Sequence, residues 1–96
     1  MKVIKRDGSK EDFDVDKIIL AVNKAFNSCN KKTPQYLKEL FFALFSTLDG
    51  DVISIEEIQK KVEDTLMNNK FFDVAKSYII YREKHKQARF IKERLD

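Results

Sequence analysis

The segment Val3-Ile4-Lys5-Arg6-Asp7-Gly8-Ser9, followed by Glu11 and by Phe13-Asp14-Val15-Asp16-Lys17-Ile18, constrains the fold more than any other stretch of the chain. Asp-Gly between two short extended runs is a strong hairpin signal, because a type I′ turn needs positive φ at both central residues and Asp-Gly accepts it readily. The expected strands are residues 2–6 and 10–13, charged on one side and partly open to solvent. Directly after them, Asp14 is placed to cap a helix whose third position is Lys17. A hairpin that runs straight into a helix gathers Lys5, Arg6, Lys17, Glu11 and Asp14 around one helix N-terminus. Cations beside oriented N–H groups favour anions, so the group reads as a cradle for a phosphorylated purine. Lys5 and Arg6 are neighbours, and in a regular strand their side chains leave opposite faces. Both reach one ligand only where the chain bends or twists at the turn.

Helical spacing dominates the remainder of the chain. Val15, Ile18, Ile19, Val22, Ala25, Phe26 and Cys29 form one stripe of a first helix, which the polar run 27–32 ends without a glycine. Thr33-Pro34 predicts the start of a second helix, with the hydroxyl as cap and proline at the first helical position. Its apolar face comprises Leu37, Leu40, Phe41, Leu44, Phe45 and Leu48, with Phe42 at the edge, and these phenylalanines read as packing. Asp49-Gly50-Asp51 marks a second turn, and Val52-Ile53 a short strand able to pair beside the hairpin. Ser54 with Glu57 matches a capping box. The third helix turns Ile55, Ile58, Val62, Leu66 and Met67 inward and Gln59 and Glu63 elsewhere, until Met67-Asn68-Asn69-Lys70 breaks the pattern. A long fourth helix, from Phe71 or Phe72 to about Leu95, carries Val74, Ala75, Tyr78, Ile79 and Arg82 at helical spacing. Tyr81 and Arg82 could approach the cradle, or Arg82 could be a structural arginine held by a carboxylate. The last turns carry Ala88, Phe90, Ile91 and Leu95, of which the final three could be a docking stripe. The fold class is α+β, four helices in a bundle capped at one end by a small three-stranded β-sheet, with the ligand beneath the hairpin.

Ninety-six residues with 43% apolar content support one modest core. The chain reads as a single domain over residues 1–96, its compact part about 2–90 and a basic helical tail about 82–96. Net charge is +3, yet residues 82–94 alone carry +4, so the remainder is close to neutral. A positive excess confined to one terminal stretch reads as a solvated helix end and disfavours a nucleic-acid partner. Cys29 is the only cysteine, which excludes an internal disulfide and a Cys-x-x-Cys zinc site, and on a buried stripe it is a small hydrophobe. His85 has no cysteine or carboxylate partner evident nearby, so no metal site built from protein side chains is expected. No signal sequence and no run of 18 apolar residues occurs, pointing to a cytoplasmic chain without a membrane span. Two glycines cannot build a Gly-rich phosphate loop of the kind nucleotide hydrolysis uses.

Three stretches in order, V-x-K-R-D-G-S-x-E-x-F-x-x-x-K-I from Val3, I-Q-K-K-V-E from Ile58 and V-A-K-S-Y-I-I-Y-R from Val74, resemble the ATP-cone domain over about residues 2–90. The resemblance implies a regulatory domain without a catalytic site of its own. Its ligand would be ATP or dATP with Mg2+, its partner a ribonucleotide reductase subunit or domain, and its output a ligand-dependent change of oligomeric or docked state. It also implies that dATP is the inhibitory signal and ATP the activating one. It assigns Lys5 and Arg6 to the phosphates and adds Gln59, where some relatives carry histidine, and Lys84. From the residues themselves, Glu11 and Asp14 accept hydrogen bonds when ionised, which suits the exocyclic amine of adenine and opposes the carbonyl of guanine. A mismatched buried polar group costs about 1–3 kcal/mol, enough for a tenfold preference. Val3, Ile18 and Ile55 could sandwich the ring, and each equally fits a place in the core. The alternative function is a small DNA-binding helical domain using the basic last helix. The transcriptional repressor that carries an ATP-cone has a zinc ribbon, whose cysteines are missing here.

Overall fold

The hairpin forms with shorter strands and a different turn from those expected. Strands β1 (Lys2–Ile4) and β2 (Lys10–Asp12) pair antiparallel, with Val3 opposite Glu11. The Gly8 N–H donates to the Lys5 carbonyl at 3.0 Å, and the Lys5 N–H to the Ser9 carbonyl at 2.8 Å. Gly8 has φ +85° while Asp7 stays at negative φ. This is a type I turn closed by a left-handed glycine, a three-residue loop of Arg6, Asp7 and Gly8 in place of the two-residue type I′ turn. The reason lies in Asp7, whose Oδ1 accepts from the Ser9 N–H at 2.9 Å and the Ser9 hydroxyl at 2.6 Å. That local bonding holds Asp7 in the turn, leaving one residue to take positive φ. The Ser9 hydroxyl, with the Ser9 N–H behind it, also holds the Asp7 carboxyl below its ordinary pKa.

The computed structural model describes the backbone of residues 1–48, 50 and 52–95 and the side chains of these residues up to Lys84. The expectations for Asp49, Asp51, His85, the basic residues beyond Lys84 and the stripe of Phe90, Ile91 and Leu95 fall outside the described residues.

Strand β3 (Val52–Ser54) adds to the sheet as expected, parallel to β1, giving the order β2-β1-β3. Strand side chains alternate between faces, so Val3, Glu11 and Ile53, aligned across the three strands, share the inner face. Val3 and Ile53 are buried there. Lys2, Asp12 and Val52 share the outer face, where Lys2 and Asp12 form an ion pair that holds the Asp12 carboxyl below its usual range.

Four helices complete the fold. Helix α1 (Val15–Ser28) is capped by Asp14, whose Oδ1 accepts from the Asp16 N–H at 3.0 Å, and buries Val22, Ala25 and Phe26. Its end needs a left-handed residue and uses Asn30 at φ 57°, with the Lys31 N–H reaching back to the Phe26 carbonyl at 3.0 Å. Helix α2 (Gln35–Ser46) starts differently from the expectation. Pro34, extended at φ −61° and ψ 143°, is the N-cap rather than the first helical residue. The Thr33 hydroxyl donates instead to Asn23 Oδ1 on α1, at 2.5 Å. Leu37, Phe41 and Phe45 are buried, whereas Leu40 and Phe42 are 41% and 44% exposed. One row at i, i+4, i+8 suffices because α2 packs chiefly against α1, and a neighbour one residue away lies about 100° around the helix.

Helix α3 (Ile55–Asn68) is capped by Ser54, whose Oγ accepts from the Glu57 N–H at 3.2 Å, the serine half of the predicted box. Ile58, Val62 and Leu66 are buried, and Met67, one step off their row, is exposed rather than inward. Lys70 closes α3 at φ 65°, and the Phe71 N–H donates to the Leu66 carbonyl at 2.9 Å. Helix α4 (Phe72–Leu95) buries Val74, Ala75 and Tyr78, and packs on α1 and α3. The Phe71 ring meets Phe26 edge-on at 5.1 Å. Among the described residues no helix is long and apolar enough to cross a membrane.

Candidate functional site

The parallel pairing of β1 with β3 decides which residues meet. Ile4 lies opposite Ser54, and both strands leave the sheet at the same end. Beyond Ile4 come Lys5 and Arg6, and beyond Ser54 come Ile55 and Glu56 at the start of α3. Arg6, the first residue of the three-residue loop, is released from strand alternation, and its guanidinium crosses to α3. There its Nη2 donates to Gln59 Oε1 at 3.3 Å, and its Nε lies 3.7 Å from Glu56 Oε1. An arginine only donates, so the Gln59 amide turns its oxygen to Arg6 and keeps its NH2 group as a donor for a further acceptor.

Lys5 stays with the sheet. It shares the inner face with Val3 and Glu11, and its Nζ stands 3.3 Å from Glu11 Oε2, both side chains about two-fifths exposed. The loop takes Arg6 out of strand alternation, and the two cations find partners on opposite neighbours of β1. Lys5 remains beside β2 while Arg6 reaches α3, at one rim of the sheet. Val3 is buried, and Ile18 and Ile55 are half-buried against the same apolar cluster, so all three have core contacts.

Asp14 and Lys17 enter from elsewhere. Because β2 runs antiparallel to β1, α1 begins at the end of the sheet where Lys2 pairs with Asp12, away from the Arg6 loop. Asp14 spends one carboxylate oxygen on the α1 cap, and Lys17 stands exposed in the first turn. A three-residue strand rises about 10 Å, so this second cluster is one short strand from the first. Lys84 is exposed on α4, and no hydrogen bond or ion pair among the described residues joins it to the hairpin. Tyr81 turns to α1, accepting from Lys24 Nζ at 3.3 Å, and Arg82 is held by Glu63, the structural alternative for that arginine. Glu63 follows Gln59 by four residues, so one row of α3 touches the hairpin at one position and α4 at the next.

Glu56 is the site-facing residue that the sequence reading passes over. An acidic residue in the first turn of a helix already has a reason to be there. The signal that singles it out is its position two residues after a strand lying in register with β1. Among the described residues no group of three or more His, Cys, Asp or Glu side chains is gathered to hold a metal ion.

The family model described as the ATP cone domain matches residues 1–87. The chain is 43% identical, over 96% of its length, to a vitamin B12-dependent ribonucleoside-diphosphate reductase of Thermoplasma acidophilum. It is 40% identical, over 91% of its length, to an anaerobic ribonucleoside-triphosphate reductase of Haemophilus influenzae. A ribonucleoside-diphosphate reductase subunit alpha of Chlamydia pneumoniae matches at 37% over 95% of the chain. The chain spans 13% of the length of each of the first two relatives and 10% of the third.

Proposed function

This chain belongs to the ATP-cone domain family, and from that premise we propose that it is a nucleotide-binding regulatory domain that senses ATP and dATP for a ribonucleotide reductase. The observation that carries the reading is that Arg6 reaches Gln59 at the end where β1 and β3 leave the sheet, with Lys5 next to Arg6 in the chain. Two cations and an amide donor suit a triphosphate, the planar guanidinium gripping two oxygens and the ammonium acting as a point charge. Mg2+ would arrive with the triphosphate. Lys17, exposed in the first turn of α1, adds a third cation within one nucleotide's reach, and Lys84 is available from α4 if the ligand extends that far. Glu11 and Asp14 face the base edge and favour adenine, and Val3, Ile18 and Ile55 line its faces. No step of chemistry is assigned to the domain.

The output is linkage. ATP and dATP differ by one hydroxyl, so they shift an equilibrium only by interacting differently with its two states. Those states are two oligomeric or docked arrangements with a reductase subunit or domain, dATP favouring the inhibitory one. The test is isothermal titration with dATP, ATP and GTP in the presence of Mg2+, repeated on a Lys5→Ala/Arg6→Ala double variant. Adenine nucleotides should bind, GTP at least tenfold more weakly, and the double variant should lose binding while staying folded. Sizing with and without dATP then reads the oligomeric response. A folded wild-type protein that binds none of the three removes the proposal.

A further inference from the structure

The geometry points to Glu56 as a built-in competitor for the phosphates, a carboxylate that holds Arg6 against α3 and must release it to a triphosphate. The inference rests on the reading that Arg6 meets phosphate. It goes further, in assigning to a residue outside the expected ligand set the tuning of affinity by phosphate charge. Arg6 turns one edge of its guanidinium to α3, Nη2 hydrogen-bonded to Gln59 and Nε facing Glu56 at ion-pair distance. That edge is one of the two a guanidinium offers for a bidentate grip on phosphate. The two partners are not equivalent. Gln59 is neutral and can move its oxygen aside or present its NH2 to the same ligand, whereas Glu56 carries the ligand's own sign of charge and has no donor to offer.

Several features set the strength of this competition. The side chains of Arg6 and Glu56 are 36% and 60% exposed, so water screens their pairing and a ligand can displace it. Glu56 sits in the first turn of α3, where the helix dipole favours negative charge. Its position is fixed by the strand register and the Ser54 cap, with no linker between β3 and α3 to let it swing away. Lys5 is treated similarly by Glu11, so Lys5 and Arg6 each meet one of the chain's own carboxylates. For Glu11 the expected role at the base edge gives a second reason for its charge, and Glu56 has none of that kind.

A competitor of this sort acts in proportion to the charge it opposes. Replacing Glu56 by glutamine keeps the size and removes the charge, so ATP binding should tighten by about three- to tenfold, the range expected for losing one exposed ion pair and one nearby like charge. ADP should gain less, so the ratio of ATP to ADP affinity should rise. The experiment is titration of wild type, E56Q, E57Q, R6Q and E56Q/R6Q with Mg·ATP and Mg·ADP, with circular dichroism confirming that each variant is folded. A gain in E56Q that exceeds the gain in E57Q and disappears in the R6Q background supports the assignment. Equal gains in E56Q and E57Q would mean a general field effect and overturn the pairing. If wild type binds ATP and E56Q binds it no better, the competitor is overturned while the nucleotide reading stands. If neither binds, both fall together.

Discussion

Two residues at helix ends hold a conformation that their side chains resist. Asn30 and Lys70 close α1 and α3 at φ 57° and 65°, where a left-handed backbone crowds any Cβ. Asparagine tolerates this region, and the lysine side chain has no acceptor with which to bond its own backbone N–H groups. Lys70→Gly should therefore stabilise the domain by about 0.5–1 kcal/mol, with a smaller gain at Asn30→Gly, read from urea denaturation midpoints at constant slope. Tyr78 gives a second prediction at this scale. Burial pushes its phenol up to about 12 from an ordinary 10.0, the nearby Arg82 cation opposing that rise and the Glu63 carboxylate adding to it. The folded state keeps its proton longer than the unfolded chain, so the stabilisation is fully present below pH 10 and is lost as pH rises from 10 to 12. Tyr78→Phe should flatten the fall in unfolding free energy across that window by about 2 kcal/mol, and an unchanged slope would contradict the assignment.

At the scale of elements, Ser54 does two jobs. It is the last residue of β3 and the N-cap of α3, so a sheet position and a helix start depend on one hydroxyl-bearing residue. Ser54→Ala should cost about 1 kcal/mol, measured by thermal or urea unfolding, and should also weaken nucleotide binding because Gln59 lies in the second turn of the helix it caps. The elements are largely legible in the sequence. Apolar rows such as Ile58, Val62 and Leu66 repeat at helical spacing, and no competing pattern exists. The turn is less so, since Asp-Gly serves two-residue and three-residue loops alike and the choice falls to the bond from Asp7 to Ser9. Leu40 and Met67 depart from the inward expectation because periodicity gives the direction of a face but not its width, which the neighbouring helices set.

At the scale of the whole molecule, the site depends on a relation between distant segments. Lys5 and Arg6 stand out from local sequence and resemblance, but their link to α3 follows from a parallel strand pairing that no local pattern encodes. The same row of α3 continues to Glu63 and Arg82, tying the rim of the sheet through one helix to α4. The Arg82 Nε lies 3.7 Å from Glu83 and is buried without a hydrogen-bond acceptor among the described residues, so this join is held mainly through the other side of the guanidinium. Arg6 and Gln59 stand 53 residues apart in the chain. Closing a loop of that length costs more chain entropy than forming the hairpin or the α1–α2 contact, which predicts that β3 joins β1 late in folding. Trimming Ile53 to valine should accelerate unfolding and leave the folding rate almost unchanged in stopped-flow measurements. The binding surface would thus exist only in molecules that have finished folding, and an incompletely folded chain would offer nucleotide nothing to read.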